Sequence, residues 1–122
     1  MILIDTSVWV DHLRTGDRWL ASLLEEGRVL THPFVIGELA LRNLRQRHVV
    51  LDALQNLPYV AVARDEEVLI FIDRYTLSGL GIGYVDVHLL AAAQLTPGTS
   101  IWTRDKRLLA AAEQRGFAFY PH

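Results

Sequence analysis

The chain has no cysteine. Disulfides and thiolate zinc sites are therefore excluded, and a reducing compartment suits it. It also lacks any run near the roughly 20 continuous apolar residues needed to span a membrane. The apolar start, "MILI", is too short for the core of a secretory signal and has no basic leader. A soluble, cytoplasmic protein is expected. An excess of basic charge is missing too: the net charge is −2. That argues against a general electrostatic grip on nucleic acid, although a local basic patch on an acidic background is compatible with it. No internal repeat, linker or low-complexity segment is visible. The 122 residues fit one compact domain, residues 1–122, and at 51% hydrophobic the chain can build a core. Such a high apolar share in a small chain also points to a partner interface.

Short apolar runs alternate with helical patterns. Ile2–Ile4 reads as a buried strand and residues 7–14 as a helix. Asp17 can cap a second helix through Glu26, with Trp19, Leu20, Leu23 and Leu24 on its apolar face. Residues 28–31 suggest a strand. Pro33 suits the first turn of a helix reaching about Arg45. A helix is expected over 49–57, a strand over 60–62, and a helix from the acidic Asp65-Glu66-Glu67 cluster to about Leu77. Further helices are expected over 84–95 and 105–114, and strands over 100–103 and 117–120. This alternation predicts an α/β fold with a largely parallel sheet. In such sheets ligands gather at the carboxyl ends of strands, where Asp5, Thr103 and Asp105 fall.

Asp86 does not fit a solvated helix face. On "YVDVHLLAAAQL" its neighbours at helical spacing are Leu89, Leu90 and Ala93, so it stands in an apolar stripe. An unpartnered carboxylate there costs several kcal/mol or takes up a proton. Glu38 is flanked by Phe34, Val35 and Leu41, with Arg42 and Arg45 on the same side. Taken alone it reads as a surface ion pair. Asp5 and Asp105 each precede an expected helix, and each reads equally as an N-cap. Together the four acids suggest a hard divalent cation, Mg²⁺ or Mn²⁺, since close carboxylates repel one another severely without one. The chemistry that uses such a cation is phosphoryl transfer or phosphodiester hydrolysis with an activated water.

Four segments in order, "ILIDTSVWVD", "FVIGELAL", "GYVDVHLLAAA" and "IWTRDKRL", make the chain resemble a PIN-domain ribonuclease, specifically a VapC-type toxin of a bacterial toxin–antitoxin pair. They cover nearly the whole length. The resemblance implies a PIN-like three-layer sandwich and assigns Asp5, Glu38, Asp86 and Asp105 to an acidic metal cluster, with the Thr6 and Thr103 hydroxyls beside it. Asp5 and Asp86 are its firmest ligands, and Glu38 a ligand or the residue orienting the attacking water. Some relatives carry Asn at the position of Asp105 and an acid three residues on. Here that later place is Leu108, so Asp105 reads as a ligand, a group behind the ligands, or an N-cap. The resemblance also implies Mg²⁺- or Mn²⁺-dependent endonucleolytic cleavage of RNA, often transfer or ribosomal RNA, a homodimer, and a cognate antitoxin whose tail covers the site.

The helices bearing Trp9–Leu13 and Trp19–Leu24 read either as antitoxin contacts or as core. Arg42, Arg45, Arg47, Arg104, Lys106 and Arg107 read as phosphate contacts or as a solvated face. His12, His32, His48, His88 and His122 show no metal spacing, and none is assigned to catalysis. "GLGIGY" lacks the full glycine spacing of a dinucleotide loop and follows a helix; it reads as the connection that brings Asp86 in. A haloacid dehalogenase-type phosphatase would need an aspartate where Ser7 stands. A phosphoacceptor receiver domain would need one at the end of a central strand, and Asp65 looks instead like a cap. A non-catalytic module of PIN shape is the remaining alternative.

Overall fold

The computed structural model describes residues 1–121; His122 lies outside them. In chain order the elements are β1 (Ile2–Ile4), α1 (Thr6–Thr15), α2 (Arg18–Glu25), β2 (Val29–Leu30), α3 (Pro33–Ala40), α4 (Arg47–Gln55), α5 (Asp65–Arg74), α6 (Tyr84–Leu95), β3 (Ser100–Trp102) and α7 (Lys106–Arg115). The strands form a parallel sheet of order β2-β1-β3. Leu3 is paired with Leu30 on one side and Ile101 on the other. As the central strand, β1 is covered on both faces, so its residues are apolar without alternation. Ile2, Leu3 and Ile4 are all buried. The expected α/β class with a parallel sheet is what the chain adopts.

Two expected strands shrink to single bridges. The run expected at 60–62 is replaced by a single parallel bridge one residue earlier, between Thr31 and Tyr59, and residues 117–120 keep only one, between Ile101 and Ala118. Each adds two backbone hydrogen bonds to a sheet edge and then departs.

The helix starting at Pro33 stops at Ala40 rather than Arg45. Val35 and Leu39 form its fully buried stripe. Continued at helical spacing, that stripe would carry Arg42 and Asn43 into the core, so the chain turns out and Leu41 is left 89% exposed. The helix expected to reach Leu77 ends at Arg74. Thr76 takes a left-handed conformation and the Leu77 amide donates back to the Ile72 carbonyl, a Schellman-type stop that returns Leu77 to the core. In α2, Asp17 caps as expected, accepting from the Trp19 and Leu20 amides. Trp19 is not on the buried face, however; it is 41% exposed, whereas Trp9 is core.

Among the described residues no helix is long and apolar enough to cross a membrane.

Candidate active site

The site lies where β1 and β3 end. The Asp5 amide donates to the Trp102 carbonyl at 2.9 Å, the last rung between these strands. The chain then turns into α1, whose Val8 and Trp9 amides donate to the Asp5 carbonyl. Capping here is done by the Asp5 backbone; its side chain makes no cap bond. The carboxylate is instead held from the side. Ser7 Oγ and Thr103 Oγ1 both donate to Asp5 Oδ2 at 2.7 Å. Each hydroxyl is in turn fixed by accepting a backbone amide at 3.0 Å, Ser7 from Arg104 and Thr103 from Asp105. Asp5, only 5% exposed, thus has one oxygen locked in a five-residue network and Oδ1 without a bond among the described residues. Satisfying the buried oxygen avoids the penalty of about 1–3 kcal/mol for leaving it bare.

Asp105 also divides its oxygens. Oδ1 caps α7, accepting from the Arg107 and Leu108 amides at 3.0 and 2.9 Å. The N-cap reading therefore holds for Asp105 and leaves Oδ2 available. Glu38 forms no ion pair with Arg42 or Arg45 among the described residues; Thr6 Oγ1 donates to its Oε1 at 2.7 Å. Thr6 opens α1 and Glu38 lies in the last turns of α3, so this bond ties the two helices at the site's edge.

Asp86 is in the first turn of α6, whose next residues, Val87 to Ala93, are all buried. Its carboxyl is pushed up to about 6. Burial is the largest cause, followed by the charges of Asp5, Asp105 and Glu38, with the Gly83 amide partly offsetting them. The charges of Asp5, Asp105 and Glu38 thus lie near enough to Asp86 to disfavour its ionised form. They do not close on a point: among the described residues no group of three or more His, Asp or Glu side chains is arranged to hold an ion. The two facts agree physically. Coulomb repulsion falls slowly with distance and spreads the carboxylates, whereas ligation demands oxygens near 2 Å from one centre. In kind, the donors suit a hard cation: all are carboxylate oxygens, three (Asp5, Glu38 and Asp105) have a free oxygen beside a fixed one, and Asp86 lacks a counter-charge.

The basic residues divide. Arg104 pairs with Asp11 and, at 2.9 Å, with Asp17, so its side chain braces α1 against the start of α2. Arg107 Nη1 donates to the Gly81 carbonyl at 3.2 Å, and Arg47 to the Arg42 carbonyl. Arg42, Arg45 and Lys106 make no ion pair among the described residues. Arg14, Arg42 and Arg45 rim a groove of about 620 Å³ floored by Val10, Leu13, Leu39 and Val50, running from α1 past α3 to α4.

Two of the histidines, His32 and His88, are buried elsewhere in the fold. His88 is buried on the far side of α6, against Phe34 and Tyr84. His32 accepts the Phe34 amide as the α3 cap. Burial, then the neighbouring His88, lower its pKa to about 4. Asp65, which a receiver domain would need at a strand end, is the first residue of α5, with a 79% exposed side chain.

Sequence spacing alone does not reveal Ser7 or Arg107. A serine at a helix start is an ordinary preference, and Arg107 sits in a run of charges on an exposed turn. The only signal is position: Ser7 is two residues from Asp5, and Arg107 two from Asp105.

A parallel sheet with carboxylates at the ends of two adjacent strands and on two further helices defines the class. A model of the PIN domain family matches residues 2–114, and the chain belongs to that family. It is similar to Ribonuclease VapC32 of Mycobacterium tuberculosis, both strain CDC 1551 / Oshkosh and strain ATCC 25618 / H37Rv. Each is 49% identical over 118 residues, covering 97% of this chain and 95% of that protein. At that likeness the chain belongs with the VapC-type PIN ribonucleases.

Proposed function

We propose that the chain is a Mg²⁺- or Mn²⁺-dependent endoribonuclease acting as the toxin of a toxin–antitoxin pair in the cytoplasm. The observation that supports this reading is that the charges of Asp5, Asp105 and Glu38 all act on the half-buried Asp86, a set of like charges that a cation would neutralise. Asp5 and Asp86 would hold it, with Glu38 and Asp105 completing or supporting the shell. When bound, the cation supplies a Lewis acid that polarises the scissile phosphate and lowers the pKa of water.

The chain's own residues do the positioning. Ser7 and Thr103 lock Asp5 through Oδ2 and leave Oδ1 for the cation. Thr6 holds one Glu38 oxygen, leaving the other to orient a water for attack on phosphorus. Asp105 keeps its carboxylate fixed through its bonds to the α7 amides. Arg42, Arg45 and Lys106 supply cations for RNA phosphates, while Arg104 serves the fold. The substrate is a structured RNA of the transfer or ribosomal kind.

The 620 Å³ groove, apolar below and rimmed by arginines, supports docking of an acidic, amphipathic antitoxin segment. Leu69 and Ile70, about 60% exposed on α5, support a homodimer face.

The test is cleavage of defined RNAs by the purified chain, with the cut mapped to a nucleotide. Cutting should require Mg²⁺ or Mn²⁺, stop with EDTA, and be lost in Asp5→Asn and Asp86→Asn proteins that remain folded. An Asp86→Asn protein cutting as fast as the parent would sink the reading. A non-catalytic module would bind RNA without cutting it.

A further inference from the structure

We infer that Arg107 is a positioning residue for the acid cluster: its guanidinium, laid over Gly81, fixes the loop that delivers Asp86. This rests on the reading of Asp86 and Asp105 as metal-site residues. Asp86 is presented by the connection between α5 and α6, residues 75–83. That segment has no regular structure, and two of its glycines, Gly79 and Gly81, have left-handed φ values of 79° and 73°. Glycines at such positions leave the backbone more conformational freedom than other residues would. It nevertheless has to place Gly83, the N-cap of α6, because Asp86 follows it by three residues.

Arg107 supplies the restraint. Its Nη1 donates to the Gly81 carbonyl at 3.2 Å. The planar group also occupies the space a side chain at Gly81 would need: a Cβ there would meet Nη1 at 2.6 Å, Cζ at 3.0 Å and Cδ at 3.3 Å. Gly81 is thus favoured by its φ, and a side chain there would push the Arg107 guanidinium off the loop. At its other end, the Arg107 amide donates to Asp105 Oδ1 at 3.0 Å. One residue therefore couples two of the four acids, orienting Asp105 through its backbone and the Asp86 loop through its side chain. The charge of lysine would not reproduce this, since an ammonium lacks the flat fork that covers Gly81.

The rival role for Arg107 is a direct RNA phosphate contact, and the experiment separates the two. Full-length Arg107→Ala, Arg107→Lys and Gly81→Ala proteins are compared with the parent. Three readouts are taken: amide hydrogen exchange without metal, Mn²⁺ binding by calorimetry without RNA, and cleavage across a salt series. Positioning predicts that Arg107→Ala speeds exchange at residues 81–86 by about tenfold or more, with β1 and β3 amides unchanged. It also predicts Mn²⁺ binding weakened by about 10–100-fold, and a lower kcat with unchanged KM and salt slope. Arg107→Lys should behave like Arg107→Ala, and Gly81→Ala should reproduce both.

Parental exchange at residues 81–86 in Arg107→Ala overturns the proposal. So does a raised KM with the salt slope reduced by about 0.7 and rescue by Arg107→Lys, which is the phosphate-contact outcome. If the parent neither binds Mn²⁺ nor depends on metal, the metal reading fails instead, and the exchange data alone decide whether Arg107 holds the loop.

Discussion

Removing the Asp86 charge should stabilise the protein while destroying its activity. In the absence of metal the Asp86 carboxyl is raised from the ordinary 3.8 to about 6, by burial and then by Asp5, Asp105 and Glu38. At about 1.4 kcal/mol per pH unit, that rise sets a ceiling of about 3 kcal/mol on the stability lost when Asp86 ionises. Asp86 is only half-buried, so solvent screening reduces this to about 1–2 kcal/mol. The sign follows from the raised value. Well below pH 3.8 the group is protonated in both the folded and unfolded chain and contributes nothing. As pH rises from about 4 to 6 the unfolded chain releases the proton first, and stability falls; above 6 the full penalty is present. Asp86→Asn removes it. Urea denaturation in EDTA should show the variant more stable at pH 7.5 by about 1–2 kcal/mol, roughly 3–8 °C in Tm, and equal to the parent at about pH 3, below the unfolded-state value. Mn²⁺ at a hundred times its dissociation constant should then add about 2.7 kcal/mol to the parent alone, reversing the order. A variant less stable than the parent at pH 7.5 without metal, or a difference that ignores pH, would refute the reasoning.

Asp105 carries a cap and a charge that two substitutions separate. Asp105→Asn should keep the α7 cap and most of the stability, Asp105→Ala should cost about 1 kcal/mol, and equal loss of cleavage in both would show that the charge matters to the reaction. Thr103→Val removes the donor to Asp5 Oδ2 and the acceptor of the Asp105 amide. A loss of about 1–3 kcal/mol by denaturation should accompany slower cleavage. His32 works in the opposite pH direction to Asp86. Its lowered pKa of about 4 means stability is lost as pH falls from 6.5 toward 4, and His32→Asn, which can still cap α3, should flatten that limb of the stability curve. Arg104→Gln should lower stability by 1 kcal/mol or less, since its ion pairs are partly exposed, and leave the salt slope of cleavage unchanged because Arg104 is already committed to Asp11 and Asp17.

Much of this was legible in residue order. The apolar stripe around Asp86 predicts a half-buried carboxylate, and Leu89, Leu90 and Ala93 are indeed buried beside it. The helix expected over 84–95 is α6, Tyr84–Leu95, and the parallel sheet follows from the alternation of elements. The errors fell where a local pattern meets a tertiary limit. The Pro33 helix ends early because its buried stripe would next carry Arg42 and Asn43, and two apolar runs fail to become strands because only one rung of each finds an edge to pair with.

Local sequence, then, determined which residues carry charge, where helices start, and which carboxylate stands among apolar neighbours, because those depend on composition and on periodicities of 2 and 3.6. Tertiary structure alone decided how each acid is used. Asp5 and Asp105 look alike in the sequence, each an acid before a helix. Yet Asp105 caps with its side chain, while Asp5 caps with its backbone and gives its carboxylate to Ser7 and Thr103. The difference arises because the ends of β1 and β3 lie side by side, which brings a hydroxyl 98 positions away to within hydrogen-bonding distance. No spacing rule along the chain contains that contact.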